Sequence, residues 1–148
     1  MIRIAKHSDL PRIIEMGRKF FSTTLMSQSA DFDDESFYKT FDYLDGENGV
    51  CLVLEKNSEV VGMSAAMAYP FYLNLNHKTG QELFWWVEEE FRHGSDGLRL
   101  MRELETWARS VGCETFNMMS IGENLERIEK IYSKMGYQST ERTYMKRL

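Results

Sequence analysis

The residues whose types and spacing carry most chemistry lie in one run, Arg92-His93-Gly94-Ser95-Asp96-Gly97. It follows an apolar segment ending at Val87 and opens the clearest amphipathic stretch of the chain. A helix that begins there leaves its first N–H groups unpaired and carries the positive end of its dipole. Gly94 and Gly97 let the backbone come close to a ligand, so the chemistry offered is anion binding, a phosphate above all. Arg92 and, more loosely, His93 and Arg99 can add charge-assisted hydrogen bonds to phosphate oxygens. The same residues also describe a plain loop capped by Ser95 or Asp96, because aspartate at a helix start is a good cap and competes with an external anion. On these residues alone both readings stand.

Other reaction types find less support. His7, His77 and His93 are scattered without ligand spacing, so no metal is expected, and each reads as a surface histidine. There is no GxxxxGK loop and no carboxylate pair for magnesium, which argues against phosphoryl transfer. Cys51 and Cys113 lie far apart in the apolar runs VCLVL and GCETF, as inert buried thiols do. A net charge of −5 and a pI near 5.3 argue against sequence-independent nucleic-acid binding, which needs clustered Lys and Arg, and weakly favour a cationic partner. The opening MIRIAKHSDL lacks a signal-peptide pattern, and no run approaches the roughly 20 apolar residues that cross a bilayer. A cytoplasmic setting without membrane contact is expected.

The elements that must position the Arg92–Gly97 run follow from periodicity. With 148 residues the chain fits one domain, 1–148, able to bury its own core. Met1 to Ala5 alternates as a short strand. His7-Ser8-Asp9 then offers capping side chains ahead of a helix in which Leu10, Ile13, Ile14, Gly17, Phe20 and Phe21 face inward. Ser22 to Asp34 reads as a loop and Glu35 to Leu44 as a second helix. Gly49 to Glu55 is an unbroken apolar run, the pattern of a strand buried on both faces. A turn at Lys56 to Glu59 leads to the return strand Val60 to Tyr69, whose Gly62, Ser64, Ala65, Ala66 and Ala68 leave room above a sheet. Pro70 to Gly80 reads as a loop, Glu82 to Val87 as a third strand, and Leu98 to Val111 as a helix ended by Gly112. Cys113 to Ile121 is a further strand, Asn124 to Met135 a helix with Leu125, Ile128, Ile131, Tyr132 and Met135 inward, and Tyr137 to Met145 a final strand. This order implies an α+β fold in three layers. A mixed, mostly antiparallel central sheet would have helices on both faces and one parallel pairing across the passage from Glu82 to Ile121.

The segment VEEEFRHGSDGLRLMRELETWARSVG resembles the signature of the GNAT superfamily of acetyl-CoA-dependent N-acetyltransferases, a strand followed by Arg/Gln-x-x-Gly-x-Gly/Ala at a helix start. Arg92 and Gly97 match, and Ser95 stands where the family usually has its middle glycine, with Gly94 just before it. IYSKMGYQ is similar to the family's Tyr-x-x-x-Gly-Phe/Tyr element through Tyr132, Gly136 and Tyr137. The opening IRIAKHSDLPRIIEM resembles its first strand and helix. Asn124 lies eight residues before Tyr132, where the family commonly has an asparagine seven before.

The resemblance implies acetyl transfer from acetyl-CoA to an amine by direct attack in a ternary complex. It also implies a sheet splayed at the strand that carries the cofactor, and a monomer or homodimer. Backbone groups of Trp85, Trp86 and Val87 would pair with pantetheine as an added strand does. The run from Arg92 through Leu98 would hold the pyrophosphate, and Asn124 the pantetheine arm. An N–H near Trp85 or Val87 would polarise the thioester carbonyl, and proximity would supply much of the rate. Tyr132 is the implied general acid for the departing thiolate; without its Gly136-Tyr137 context it reads as a core tyrosine. A base for the ammonium proton is sought at Glu82, with Glu88 behind it, where nearby Phe84, Trp85 and Trp86 would raise a carboxylate pKa, although a solvated strand-edge glutamate is the commoner fate. The acceptor stays open among peptide N-termini, lysines, polyamines and small amines. A non-catalytic acyl-CoA sensor or a protein-interaction module is the alternative on the same fold.

Overall fold

Two apolar runs joined by a tight turn form the centre of the molecule in the computed structural model, which describes residues 1–121 and 125–148. β2 (Gly49–Lys56) and β3 (Glu59–Phe71) pair antiparallel, with Asn57 and Ser58 between them at φ of 51° and 65°. Two successive left-handed residues give the turn a twist that suits its flanking strands. From Gly49 to Leu54 every residue of β2 is buried, as its continuous apolar run requires. β1 (Ile2–Ile4) adds antiparallel to β2, β4 (Asn74–Val87) antiparallel to β3, and β5 (Thr115–Asn117) parallel to β4. The spatial order is β1-β2-β3-β4-β5.

Helices cover both faces of this sheet, which confirms the three-layer α+β architecture. On one face, Leu10, Ile13 and Met16 of α1 (Leu10–Ser22) and Phe41 and Leu44 of α2 (Asp34–Leu44) pack on Cys51, Val53, Met63, Ala65 and Phe84. On the other, Leu100 and Leu104 of α3 (Asp96–Ser110) pack on Val50, Leu52, Leu54, Val61, Ala66 and Val87. The small residues of β3 are themselves buried, because α1 and α3 come down on them and fill the room they leave. Asp9 accepts from Lys6 N–H at 2.8 Å and is gripped by Arg3, which fixes the entry into α1, and Pro11 sits in its first turn. Asp33 caps α2 by accepting from Ser36 N–H at 2.7 Å. α4 (Leu125–Lys134) follows β5 and buries Tyr132.

Several boundaries differ from the sequence reading. The expected loop over Pro70 to Gly80 is a hairpin arm, with Tyr69 opposite Thr79 and Pro70 opposite Lys78, so only Tyr72 and Leu73 lie outside the strands. Backbone pairing sustains the outer part of this arm without burial: Leu73 and Leu75 are each 74% exposed. The strand expected over Cys113 to Ile121 shortens to Thr115–Asn117, since the chain then turns away from β4. The final strand expected from Tyr137 to Met145 is absent. Those residues run irregularly and mostly exposed beyond the Tyr132–Tyr137 contact, their charged and polar side chains offering little apolar surface to bury. Of the inward positions assigned to α4, only Tyr132 is buried, and Leu125 is exposed. Among the described residues no helix is long and apolar enough to cross a membrane.

Candidate active site

The sheet opens where β4 and β5 part. Their parallel ladder has three rungs, Thr79 to Thr115, Gly80 to Phe116 and Gln81 to Asn117, and stops there. From Glu82 to Val87, β4 is paired, among the described residues, only with β3. Gly80 permits the close approach, since a Cβ on it would lie 2.5 Å from the Phe116 ring. On the β3 side, Ala65 faces Phe84 while Ala66 faces Glu82, so Leu83 is the extra residue of a bulge that bends β4 at the split. The edge from Trp85 to Val87 thus offers backbone groups along one side of a cleft.

Glu82 sits at the vertex of that cleft and is 3% exposed, not the solvated edge residue its type would favour. Its Oε2 accepts from Met119 N–H at 3.0 Å, while Oε1 accepts no hydrogen bond among the described residues. Burial pushes its pKa up to about 7, against a smaller opposing effect of the Met119 hydrogen bond. Tyr132 approaches from α4 and donates its hydroxyl to Met119 C=O at 2.6 Å. Burial raises the phenol's pKa, and the Glu82 charge adds to the effect, which places the two side chains in one electrostatic neighbourhood. The ring of Tyr132 packs on Tyr137, whose own hydroxyl donates to Glu105 at 2.8 Å, and Tyr137 N–H bonds to Tyr132 C=O. Gly136, at φ of 92°, makes the turn that brings this second tyrosine back.

Beyond Val87 the chain makes a short 3-10 turn, Glu89–Phe91, and enters α3. The first helical bond runs from Arg99 N–H to Ser95 C=O, so the N–H groups of Asp96, Gly97 and Leu98 lie ahead of it, and the Ser95 side chain makes no cap. Asp96, the competing cap of the sequence reading, is drawn aside: Lys56 holds it at 2.6 Å and Arg99 at 3.1 Å. The Lys56 hydrogen bond chiefly, opposed by slight burial, keeps its carboxyl below the ordinary range. Gly94 takes φ of 105° with open space around it, and Gly97 lies against Trp85, where a Cβ would be 3.0 Å from the ring. Arg92 is less free than expected. Its Nε donates to Val87 C=O at 2.7 Å and its guanidinium stacks 4.4 Å over the Trp86 ring, which ties the turn to the strand end. His93 is exposed beside Gly94. Asn124 lies outside the described residues.

Glu88, the second base candidate, is corrected. Its buried carboxylate accepts from Arg12 at 2.8 Å and Lys19 at 2.7 Å, with Trp86 Nε1 at 3.4 Å. Burial alone would raise its pKa, but Lys19, Trp86 and Arg12 together override that and hold it low. It is a structural ion pair that fastens α1 to the end of β4, not a proton acceptor. Sequence reasoning missed Lys56 and Met119. Lys56 looks like any turn lysine until the hairpin brings it to α3, and Met119 acts through its main chain, which leaves no signal in residue type. Among the described residues, no three or more His, Cys, Asp or Glu side chains come together as a metal site would need.

A family model described as the acetyltransferase (GNAT) family matches residues 13–137 of the chain. No curated protein matches the sequence significantly. Among solved structures, a transcriptional regulator from Bacillus halodurans C-125 is similar with a TM-score of 0.79 at 16% identity, over 100% of this chain and 99% of that one. Glucosamine-6-phosphate N-acetyltransferase from Arabidopsis thaliana gives 0.75 at 21% identity, over 99% and 97%. The aminoglycoside 6'-N-acetyltransferase AAC(6')-IG from Acinetobacter haemolyticus gives 0.75 at 18% identity, over 100% and 99%. At these identities the likeness is one of fold.

Proposed function

The chain belongs to the acetyltransferase (GNAT) family, and from that premise we propose that it is, as one domain, an N-acetyltransferase that moves the acetyl group of acetyl-CoA directly onto an amine in a ternary complex. One observation carries this reading: from Glu82 to Val87 the edge of β4 away from β3 has no strand partner among the described residues, and it leads straight into a helix start whose N–H groups no side chain among them caps. The edge suits an extended pantetheine arm, which would pair with Trp85 to Val87 as a short strand. The helix start suits a diphosphate, received by the amides of Asp96, Gly97 and Leu98 with Ser95 beside them. Arg92, His93 and the open turn at Gly94 border that place. Ser95, lacking a cap role, has its hydroxyl free to donate where the family usually has glycine.

The amine must be neutral to attack. Glu82, whose Oε1 accepts no hydrogen bond among the described residues and whose pKa lies close to neutrality, would take the ammonium proton through water. The nitrogen then bonds to the thioester carbonyl carbon, whose oxygen is polarised by a β4 N–H, and the C–S bond breaks. Tyr132 would give its proton to the departing thiolate and recover one as the new amide nitrogen sheds its own. Its bond to Met119 C=O holds the hydroxyl in readiness.

Titration calorimetry with CoA and acetyl-CoA, followed by thiol release across a panel of primary amines, tests the proposal. Uptake of CoA with amine-dependent thiol release supports it. Correctly folded protein that takes up neither form removes its basis, and uptake without release with any amine leaves a binding protein rather than an enzyme.

A further inference from the structure

Resting on that acetyl-transfer reading, we propose that Glu82 is a clasp: by accepting Met119 N–H where a backbone rung would otherwise stand, its side chain fixes the width of the split between β4 and β5 and, through Met119, the position of the Tyr132 hydroxyl. The role is one of positioning, additional to any proton it carries.

Three observations converge on it. The ladder ends at Gln81 and Asn117, and Glu82 is the next residue of β4. A further rung would hold the strands about 4.8 Å apart. A carboxylate must instead extend from its own backbone before it can accept, so Met119 is held farther out by the length of a side chain. Second, the bulge at Leu83 bends β4 at this very point. Third, Met119 is gripped on both sides, its N–H by Glu82 at 3.0 Å and its C=O by Tyr132 at 2.6 Å. Glu82 and Tyr132 are both buried and Met119 is half-buried, so both bonds are partly shielded from bulk water. A single residue therefore links the cofactor strand to the helix that carries the acid. If the clasp changes length, cleft width and hydroxyl position change together.

Length and charge can be separated. Glu82→Gln keeps the reach and an acceptor oxygen but has no charge; Glu82→Asp keeps the charge but is one methylene shorter. The probe is CoA, by calorimetry, on protein whose thermal unfolding remains cooperative. The clasp predicts that Glu82→Gln binds CoA within about twofold of the parent, while Glu82→Asp binds about tenfold more weakly, the scale of one well-placed hydrogen bond. It also predicts that adding Tyr132→Phe to Glu82→Asp lowers kcat little further, because the hydroxyl is already misplaced. If Glu82 were a proton acceptor alone, neither variant would alter CoA affinity, and the losses from Glu82→Asp and Tyr132→Phe would multiply; either result overturns the clasp. Parent protein that fails to bind CoA would instead overturn the acetyl-transfer reading itself, and the clasp with it.

Discussion

Glu82→Gln should stabilise the protein at neutral pH, and the size of the effect can be worked from the fold. The Glu82 carboxyl is 3% exposed, and burial raises its pKa to about 7 from an ordinary 4.5. Because the folded chain holds this proton more tightly than the unfolded one, the group's contribution to stability is complete below about pH 4.5. It declines as pH rises and is gone once pH passes about 7. The gap of about 2.5 pH units, at about 1.4 kcal/mol each, amounts to roughly 3 kcal/mol. For a chain of this length each kcal/mol moves Tm by roughly 2–4 °C, so Glu82→Gln should gain roughly 6–12 °C on the parent between pH 4.5 and pH 8. Scanning calorimetry of both proteins in half-unit steps over that range measures it. The difference between the two Tm curves is the decisive quantity, since any fixed cost of the amide cancels there. A difference that stays constant with pH would refute the argument, and with it the assignment of Glu82 as a group that titrates near neutrality.

Tyr132→Phe is expected to lower kcat by about 10²-fold or more while leaving CoA affinity nearly unchanged, as loss of a general acid does; steady-state kinetics with calorimetry separates the two. Glu88→Ala leaves Arg12 and Lys19 without their buried partner and should cost about 2 kcal/mol in urea unfolding, less than a fully buried pair because both cations reach water. Lys56→Met leaves the Asp96 carboxylate held by Arg99 alone, closer to an uncompensated negative charge at the start of α3, and should weaken CoA binding about tenfold, the scale of one charge beside a helix end. Adding Asp96→Asn should restore the affinity; failure of that rescue would mean that Lys56 meets the phosphates itself.

Wherever hydropathy follows a helical or strand period into the core, the sequence and the fold agree. The stripe through Leu100, Met101, Leu104 and Ala108 marks α3, and the apolar run of β2 marks a strand covered on both sides. The turn at Asn57-Ser58 and the open run at Gly94 were legible for the same local reasons. Agreement ends where order comes from pairing instead of burial. The β3–β4 arm is held by backbone hydrogen bonds with its leucines in water, so hydropathy says nothing of it. β5 stops at Asn117, and just beyond it the Met119 N–H goes to the carboxylate of Glu82, distant in sequence, and not to a strand. The fates of Glu82 and Glu88 were equally hidden, since each depends on remote segments, the burial and the Met119 N–H for one and Arg12 and Lys19 for the other.

Glu82 on β4 and Glu88, the residue just beyond its end, lie six positions apart and are driven in opposite directions. Glu82 is buried with no cation and gains a proton close to neutrality, whereas Glu88 is buried beneath two cations and stays ionised well below that. A fall in pH from 8 to 5 therefore neutralises the group at the split and leaves the anchor at the strand end intact. The end of β4 that leads into the α3 turn is thus insulated from the titration of Glu82 at its middle, because Glu88 keeps Arg12, Lys19 and hence α1 in place throughout. Exchanging the two environments would forfeit both properties: an anchor that titrates near pH 7 would loosen α1 as pH falls through neutrality, and a carboxylate held low by cations would lack the basicity that the proposed proton acceptor needs.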